Sequence, residues 1–115
     1  MSSSMDIDVT QSSGVAVVAP HGDLDMATVD EVKRTLAGLI DGGQSRVIMD
    51  LGSVGYIDSS GMGAMVAAMK RARAAAGDVR LCALQDDVRG IFELPRLARA
   101  MSIHPTRQEA LASWR

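Results

Sequence analysis

Met5, Ile7 and Val9 alternate with Asp6, Asp8 and Thr10, a two-residue period that predicts a half-exposed strand. The turn chemistry of Gln11-Ser12-Ser13-Gly14 follows, then the apolar run Val15–Ala19, so the chain opens with a hairpin. Pro20-His21-Gly22 stops the second strand, and Asp23-Leu24-Asp25 forms a loop into a helix. Val29, Val32, Leu36 and Leu39-Ile40 line one face of that helix. Thr28 with Glu31 fits a capping box, with Asp25 as a cap for an earlier start, and Asp41-Gly42-Gly43 ends the helix. From Arg46 to Leu51 apolar residues fill successive positions, as in a strand covered on both faces.

Helical spacing returns from Ser60 in Met62, Met65 with Val66, Met69 and Ala72. Lys70, Arg71 and Arg73 fall in the last turns, where cations complement the helix dipole, and Gly77 is the terminator. Val79–Leu84 is a further buried strand. Gln85-Asp86-Asp87 introduces a short helix with Val88, Ile91 and Phe92 inward, ended by Pro95. Met101–His104 reads as a short edge strand. Pro105-Thr106 then opens a last helix, with Ala110, Leu111 and Trp114 facing the body and Thr106 with Glu109 as a second capping box. Residues 1–4 form a loose tail ahead of one domain, 5–115. The order β-β-α-β-α-β-α-β-α predicts an α/β sandwich with a mixed sheet, an N-terminal hairpin followed by alternating helices and strands.

Composition narrows the classes of function. With 47% apolar and 23% charged residues the 115-residue chain is an ordinary folding sequence rather than a disordered one. Twelve basic against 14 acidic side chains leave a net charge of −2, which argues against nucleic acid as a partner. No apolar run reaches the roughly 18 residues of a membrane span, and Met-Ser-Ser-Ser-Met is no charged leader with an apolar core, so the expected location is cytoplasmic. Cys82, the single cysteine, lies within Val79–Leu84 and is expected to be a buried, inert thiol.

Candidate chemistry gathers between Arg46 and Gly63, in RVIMDLGSVGYIDSSGMG. Ser59 and Ser60 fall in the first turn of the second helix, where a hydroxyl serves as a cap or as a phosphate acceptor. A nucleophilic serine finds no support: the Gly-x-Ser-x-Gly elbow is absent, and His21 and His104, the only histidines, lie outside any triad pattern. A phosphate suits the place better, since helix N-terminal amides hold a dianion of about −1.5 to −2 charge without melting the helix. Gly61 and Gly63 cost about 1 kcal/mol each against alanine inside a helix. They serve either close packing on the sheet or the approach of a partner's backbone. Met62, Met65 and Met69 are core positions, with Met62, just past the serines, the one suited to a protein interface. Asp23, Asp25, Asp50 and Asp58 are open to roles as caps, loop residues, metal ligands or an acid–base pair. The two histidines lack ligand spacing, and neither a metal nor a cofactor is expected. Asp50 resembles the phospho-accepting aspartate of two-component receiver domains, but those need a lysine after the last strand. Lys33 and Lys70, the only lysines, lie on predicted helices.

Gly22-Asp23-Leu24-Asp25, the strand Arg46–Leu51, Tyr56-Ile57-Asp58-Ser59-Ser60-Gly61-Met62-Gly63, and Ile103-His104-Pro105-Thr106 with Glu109-Ala110-Leu111 together resemble the STAS domain (sulfate transporter and anti-sigma factor antagonist). The resemblance spans nearly the whole chain and is to the stand-alone bacterial form, the anti-anti-sigma factors. It implies a regulator that is not an enzyme. Unphosphorylated, such a protein binds an anti-sigma factor with serine kinase activity and so frees a sigma factor. The kinase, which itself holds ATP and Mg, phosphorylates a serine and the complex separates; a serine phosphatase reverses the mark. The first serine after the aspartate corresponds to Ser59. Asp58, Ser60, Gly61, Met62 and Gly63, with Asp23 and Asp25 from the adjacent loop, correspond to the partner-binding surface. Neither nucleic acid nor membrane is an implied partner. The competing readings are a STAS scaffold or soluble subunit of a transport or stress-signalling complex, with serines never phosphorylated, and an enzyme with a pocket converging on Ser59 or Asp50.

Overall fold

In the computed structural model, which describes residues 5–93 and 100–114, the first pairing is set by a two-residue turn. Ser13 (φ 52°) and Gly14 (φ 81°) both adopt left-handed backbone, whose twist suits a tight hairpin. They join β1 (Asp6–Ser12) to β2 (Val15–His21), antiparallel from Ser12 opposite Val15 to Asp6 opposite His21. β2 runs two residues past the predicted stop. Its pairing with β3 ends at Val18, so Pro20 lies where β1 is the only strand neighbour.

Helix α1 (Val29–Asp41) leads to β3 (Arg46–Asp50), α2 (Ser59–Ala74) to β4 (Asp78–Cys82), and α3 (Asp86–Phe92) precedes β5 (Ile103–His104); α4 (Arg107–Ala112) follows. The sheet order is β1-β2-β3-β4-β5, with β2 to β5 parallel and β1 antiparallel. The predicted element order and mixed sheet are therefore found. The last two strands are shorter than expected: Ala83 (φ 60°) turns the chain out of β4, and only Ile103 and His104 pair as β5. The expectations for residues 1–4, for Pro95 and for residue 115 lie outside the described residues.

Alternation along the strands divides the interior into two layers. Ala16, Val18, Val47, Met49, Val79 and Leu81 pack with Leu24, Val32, Leu36, Met65, Met69 and Phe92. On the opposite face Val15, Val17, Ile48 and Cys82 meet Ala110 of α4, with Leu111 and Trp114 alongside. This accounts for the unbroken apolar run of β3. Burial, reinforced by the Asp50 carboxylate against the opposing pull of Arg107, pushes the Cys82 thiol up to about 12, so the thiol is protonated and inert.

Two helix ends depart from the sequence pattern. The Thr28–Glu31 capping box does not form: the Glu31 carboxylate accepts a hydrogen bond from the Met5 amide (2.9 Å), while the Thr28 hydroxyl donates to the Asp23 carbonyl (2.7 Å). At the end of α2 the left-handed position is taken by Ala76 (φ 64°), and the Gly77 amide donates to the Ala72 carbonyl (2.8 Å). Gly77 serves a different purpose, since a Cβ there would collide with the Ser45 carbonyl. At α4, Thr106 accepts from the Glu109 amide (3.1 Å), as predicted.

Alanine at Gly77 meets backbone that has no flexible side chain to yield, so Gly77→Ala should destabilise the fold by about 1–3 kcal/mol. Ala76→Gly should instead stabilise it, by up to ~1 kcal/mol, because glycine adopts left-handed backbone without strain. Urea unfolding of both variants checks the pair, and a stable Gly77→Ala protein would contradict the close approach.

Candidate functional site

Two loops distant in sequence are laced together at the C-terminal ends of β2 and β3. The Leu24 amide donates to the Tyr56 carbonyl (2.9 Å), the Asp58 amide donates to the Leu24 carbonyl (3.1 Å), and Leu24 and Ile57 form an isolated parallel bridge. The Gly22 amide adds a bond to the Ser53 carbonyl (3.0 Å). Both bridging side chains are buried, so the contact is apolar beneath and hydrogen-bonded above. It sets the Asp23–Asp25 loop beside Asp58, Ser59 and Ser60.

Asp58 is the N-cap of α2. Its Oδ1 accepts from the Ser60 amide (2.9 Å) and the Gly61 amide (3.1 Å), satisfying donors that the first helical turn leaves open. Neither serine is needed as a cap. Ser59, the first helical residue, is exposed, and Ser60 is half-buried. Among the described residues neither hydroxyl takes part in a hydrogen bond.

The other predicted site residues divide by what surrounds them. Asp25 is half-buried and Oδ1 accepts from the Ala27 amide (2.9 Å), whereas Asp23 is exposed and uses its carbonyl on Thr28. Gly61 is buried: a Cβ there would stand 2.7 Å from the Leu24 carbonyl oxygen and 3.1 Å from Ile57, so its missing side chain serves packing. Gly63 faces open space. Met62 is half-buried: it packs against the main core and leaves part of its side chain at the surface. Asp50 lies apart from the serines' immediate surroundings in its bonding: it accepts from the Gly52 amide (3.0 Å) and from Arg107 (2.9 Å), a tie between β3 and α4. Among the described residues no group of three histidine, cysteine or carboxylate side chains is arranged to hold a metal ion.

Ser59, Ser60, Gly63 and Ala64 form one wall of a shallow groove of about 520 Å³, and Met26, Val29, Asp30 and Lys33 of the α1 side form the other. Met26 is 78% exposed and Tyr56, in the loop before Asp58, is 52% exposed. Sequence reasoning missed Met26, Asp30 and Lys33. No local pattern marks Met26, which lies ahead of the apolar face that begins at Val29. Only the lacing of the two loops reveals that it stands in solvent beside the serines.

The sequence profile of the STAS domain family matches residues 6–110. BtrV of Bordetella bronchiseptica, which carries the name of an anti-sigma factor antagonist, is 27% identical over 111 residues, 96% of this chain and 96% of its own length. A solved anti-sigma factor antagonist from Thermotoga maritima has a TM-score of 0.88 at 21% identity, covering 93% of this chain and 92% of that one. The Bacillus cell fate determinant SpoIIAA in its phosphorylated form has a TM-score of 0.74 at 23% identity, over 96% and 100%. These structural likenesses establish a shared fold. Among the described residues no helix is long and apolar enough to cross a membrane.

The two glycines of the first α2 turns should respond oppositely to alanine. Gly61→Ala should destabilise by about 1–3 kcal/mol through overpacking against Leu24, while Gly63→Ala should stabilise by up to ~1 kcal/mol through helix propensity. Chemical denaturation of the two variants tests this, and equal effects would contradict the packing role of Gly61.

Proposed function

The chain belongs to the STAS domain family, and on that premise we propose that it is an anti-sigma factor antagonist switched off by phosphorylation of Ser59. The carrying observation is the division of labour at the start of α2. Asp58 does the capping, so the Ser59 hydroxyl stands exposed and free, and a phosphate added to it disturbs no bond of the fold. The positive end of the helix dipole favours the added charge, although the Ser60 and Gly61 amides are already taken by Asp58, whose carboxylate opposes it. The partner in this reading is an anti-sigma factor with serine kinase activity that carries its own ATP and Mg, and a serine phosphatase removes the mark in the cytoplasm. The name borne by BtrV and the existence of a phosphorylated form of SpoIIAA support it.

The docking face comprises Asp23, Asp25, Asp58, Ser60, Met62 and Gly63, extended by Met26 across the groove, with Gly61 acting from beneath by letting α2 sit against Leu24. A shallow surface that mixes carboxylates and a hydroxyl with the exposed Met26 suits a protein partner better than a small substrate, which needs a concave pocket. A phosphate brought unpaired into such an interface costs about 3–5 kcal/mol, by analogy with an uncompensated buried charge. That is about two to four decades in affinity, enough to separate the complex.

Incubation with the kinase-type anti-sigma factor and Mg-ATP should add one phosphate, seen by intact-mass spectrometry, and Ser59→Ala should abolish it. Calorimetric titration should show the unmodified chain binding that partner at least ~100-fold more tightly than the phosphorylated chain. Labelling that persists in Ser59→Ala would move the switch to another residue.

A further inference from the structure

The groove beside Ser59 contains one lysine, Lys33, and nothing in the proposed docking accounts for it. Lys33 is exposed and, among the described residues, makes neither a hydrogen bond nor an ion pair. It borders both this groove and a smaller apolar recess farther along the two helices, where Leu36, Ile40 and Ala68 lie. Lys33 therefore sits at the inner limit of the Ser59 groove. Helices α1 and α2 return across the same sheet face from the parallel strands β2 and β3, so their first turns lie at the same end. Helical side chains lean toward the N-terminal end of their own helix. A Lys33 stem that follows this lean runs along the groove toward the end where Ser59 stands.

The α2 wall between Lys33 and Ser59 carries small residues. Gly63 has no side chain and nothing within 4 Å of where a Cβ would be, and Ala64 beside it has only a methyl. Among acidic groups nearby, Asp58 is engaged with two amides, Asp25 with the Ala27 amide and Glu31 with the Met5 amide, and Asp23 is exposed on the adjoining loop; Asp30 is the one carboxylate on the groove wall itself. A phosphate dianion carries more charge than the Asp30 carboxylate and more acceptor oxygens, so it competes successfully for one ammonium.

We propose that Lys33 is the internal partner of a phosphate on Ser59, its ammonium closing across Gly63 and Ala64 onto the phosphate oxygens. The proposal rests on Ser59 as the modified residue. Its consequence is that the mark acts twice: it adds negative charge to the docking face and draws a long side chain over the groove floor. The modified protein then differs from the unmodified one in shape as well as in charge.

The test uses the full chain with phosphoserine installed at position 59 by genetic encoding, so it needs no kinase and its outcome is separate from that of the kinase experiment. The second ionisation of the phosphoserine is followed by ³¹P NMR in three proteins: the otherwise unaltered chain, Lys33→Gln and Lys70→Gln. Lys70 is the only other lysine; it lies on α2 outside the groove and controls for the loss of one positive charge. A nearby ammonium favours the dianion, so Lys33→Gln should raise the phosphoserine pKa, strengthening proton binding about two- to three-fold, with a clearly smaller effect from Lys70→Gln. The Lys33 Nζ resonance should also move with the phosphate titration. Equal shifts in the two variants, or none in either, would overturn the proposal.

Discussion

The contact between Leu24 and Ile57 makes one site out of two loops. Each side chain is almost completely buried, a placement that contributes roughly 1.5–3 kcal/mol apiece, and the Leu24 backbone exchanges hydrogen bonds with Tyr56 and Asp58, the two residues flanking Ile57. The Asp58 amide donates to the Leu24 carbonyl, and that same carbonyl lies close enough to α2 to demand a glycine at position 61. The start of α2 is thereby fixed against the loop after β2. Asp58, held at that point, closes the first turn with its carboxylate and leaves the two serine hydroxyls unused by the fold.

The opposite face of the sheet is fastened differently. Only a few apolar residues lie beneath α4, and polar ties reinforce them. Arg107 holds Asp50 at 2.9 Å, and Arg80 reaches Ser113 at 2.7 Å while lying 3.9 Å over the Trp114 ring. Arg80 also pairs with the buried Asp78, which Arg73 at the end of α2 contacts from the other side. Asp50, the residue that resembles a receiver-domain phosphoacceptor in sequence, is thus committed to holding a helix in place. Its surroundings explain the resemblance: a carboxylate after a buried parallel strand is a common place for either use.

Much of the architecture was legible because strand and helix periods state directly which face is buried. Ile48 between Val47 and Met49 is the clear case, since a run with no polar member requires cover on both sides and α4 supplies it. The misses share one cause: partners far apart along the chain. Glu31 satisfies an amide 26 residues away, so the local Thr28–Glu31 pattern misled. Gly77 ends a helix by spacing but is required by Ser45 on a neighbouring connection. Within the site, the motif around Ser59 was readable as a local pattern. Met26 and Lys33 were not, because their place beside the serines exists only once α1 and α2 lie side by side.

The capping of α2 by Asp58 rather than by a serine has a consequence for how long the protein survives in a cell. Degradation of a folded domain follows the population of its open states, and that population depends on stability. The Ser59 hydroxyl contributes no bond to the fold, so under the proposed switch a phosphate there would break none of the bonds that keep the chain closed to proteases. In that proposal the ratio of the two forms would be set by the enzymes that write and erase the mark, and not by selective clearance of one form. A signal kept in that way is reversible without new protein synthesis.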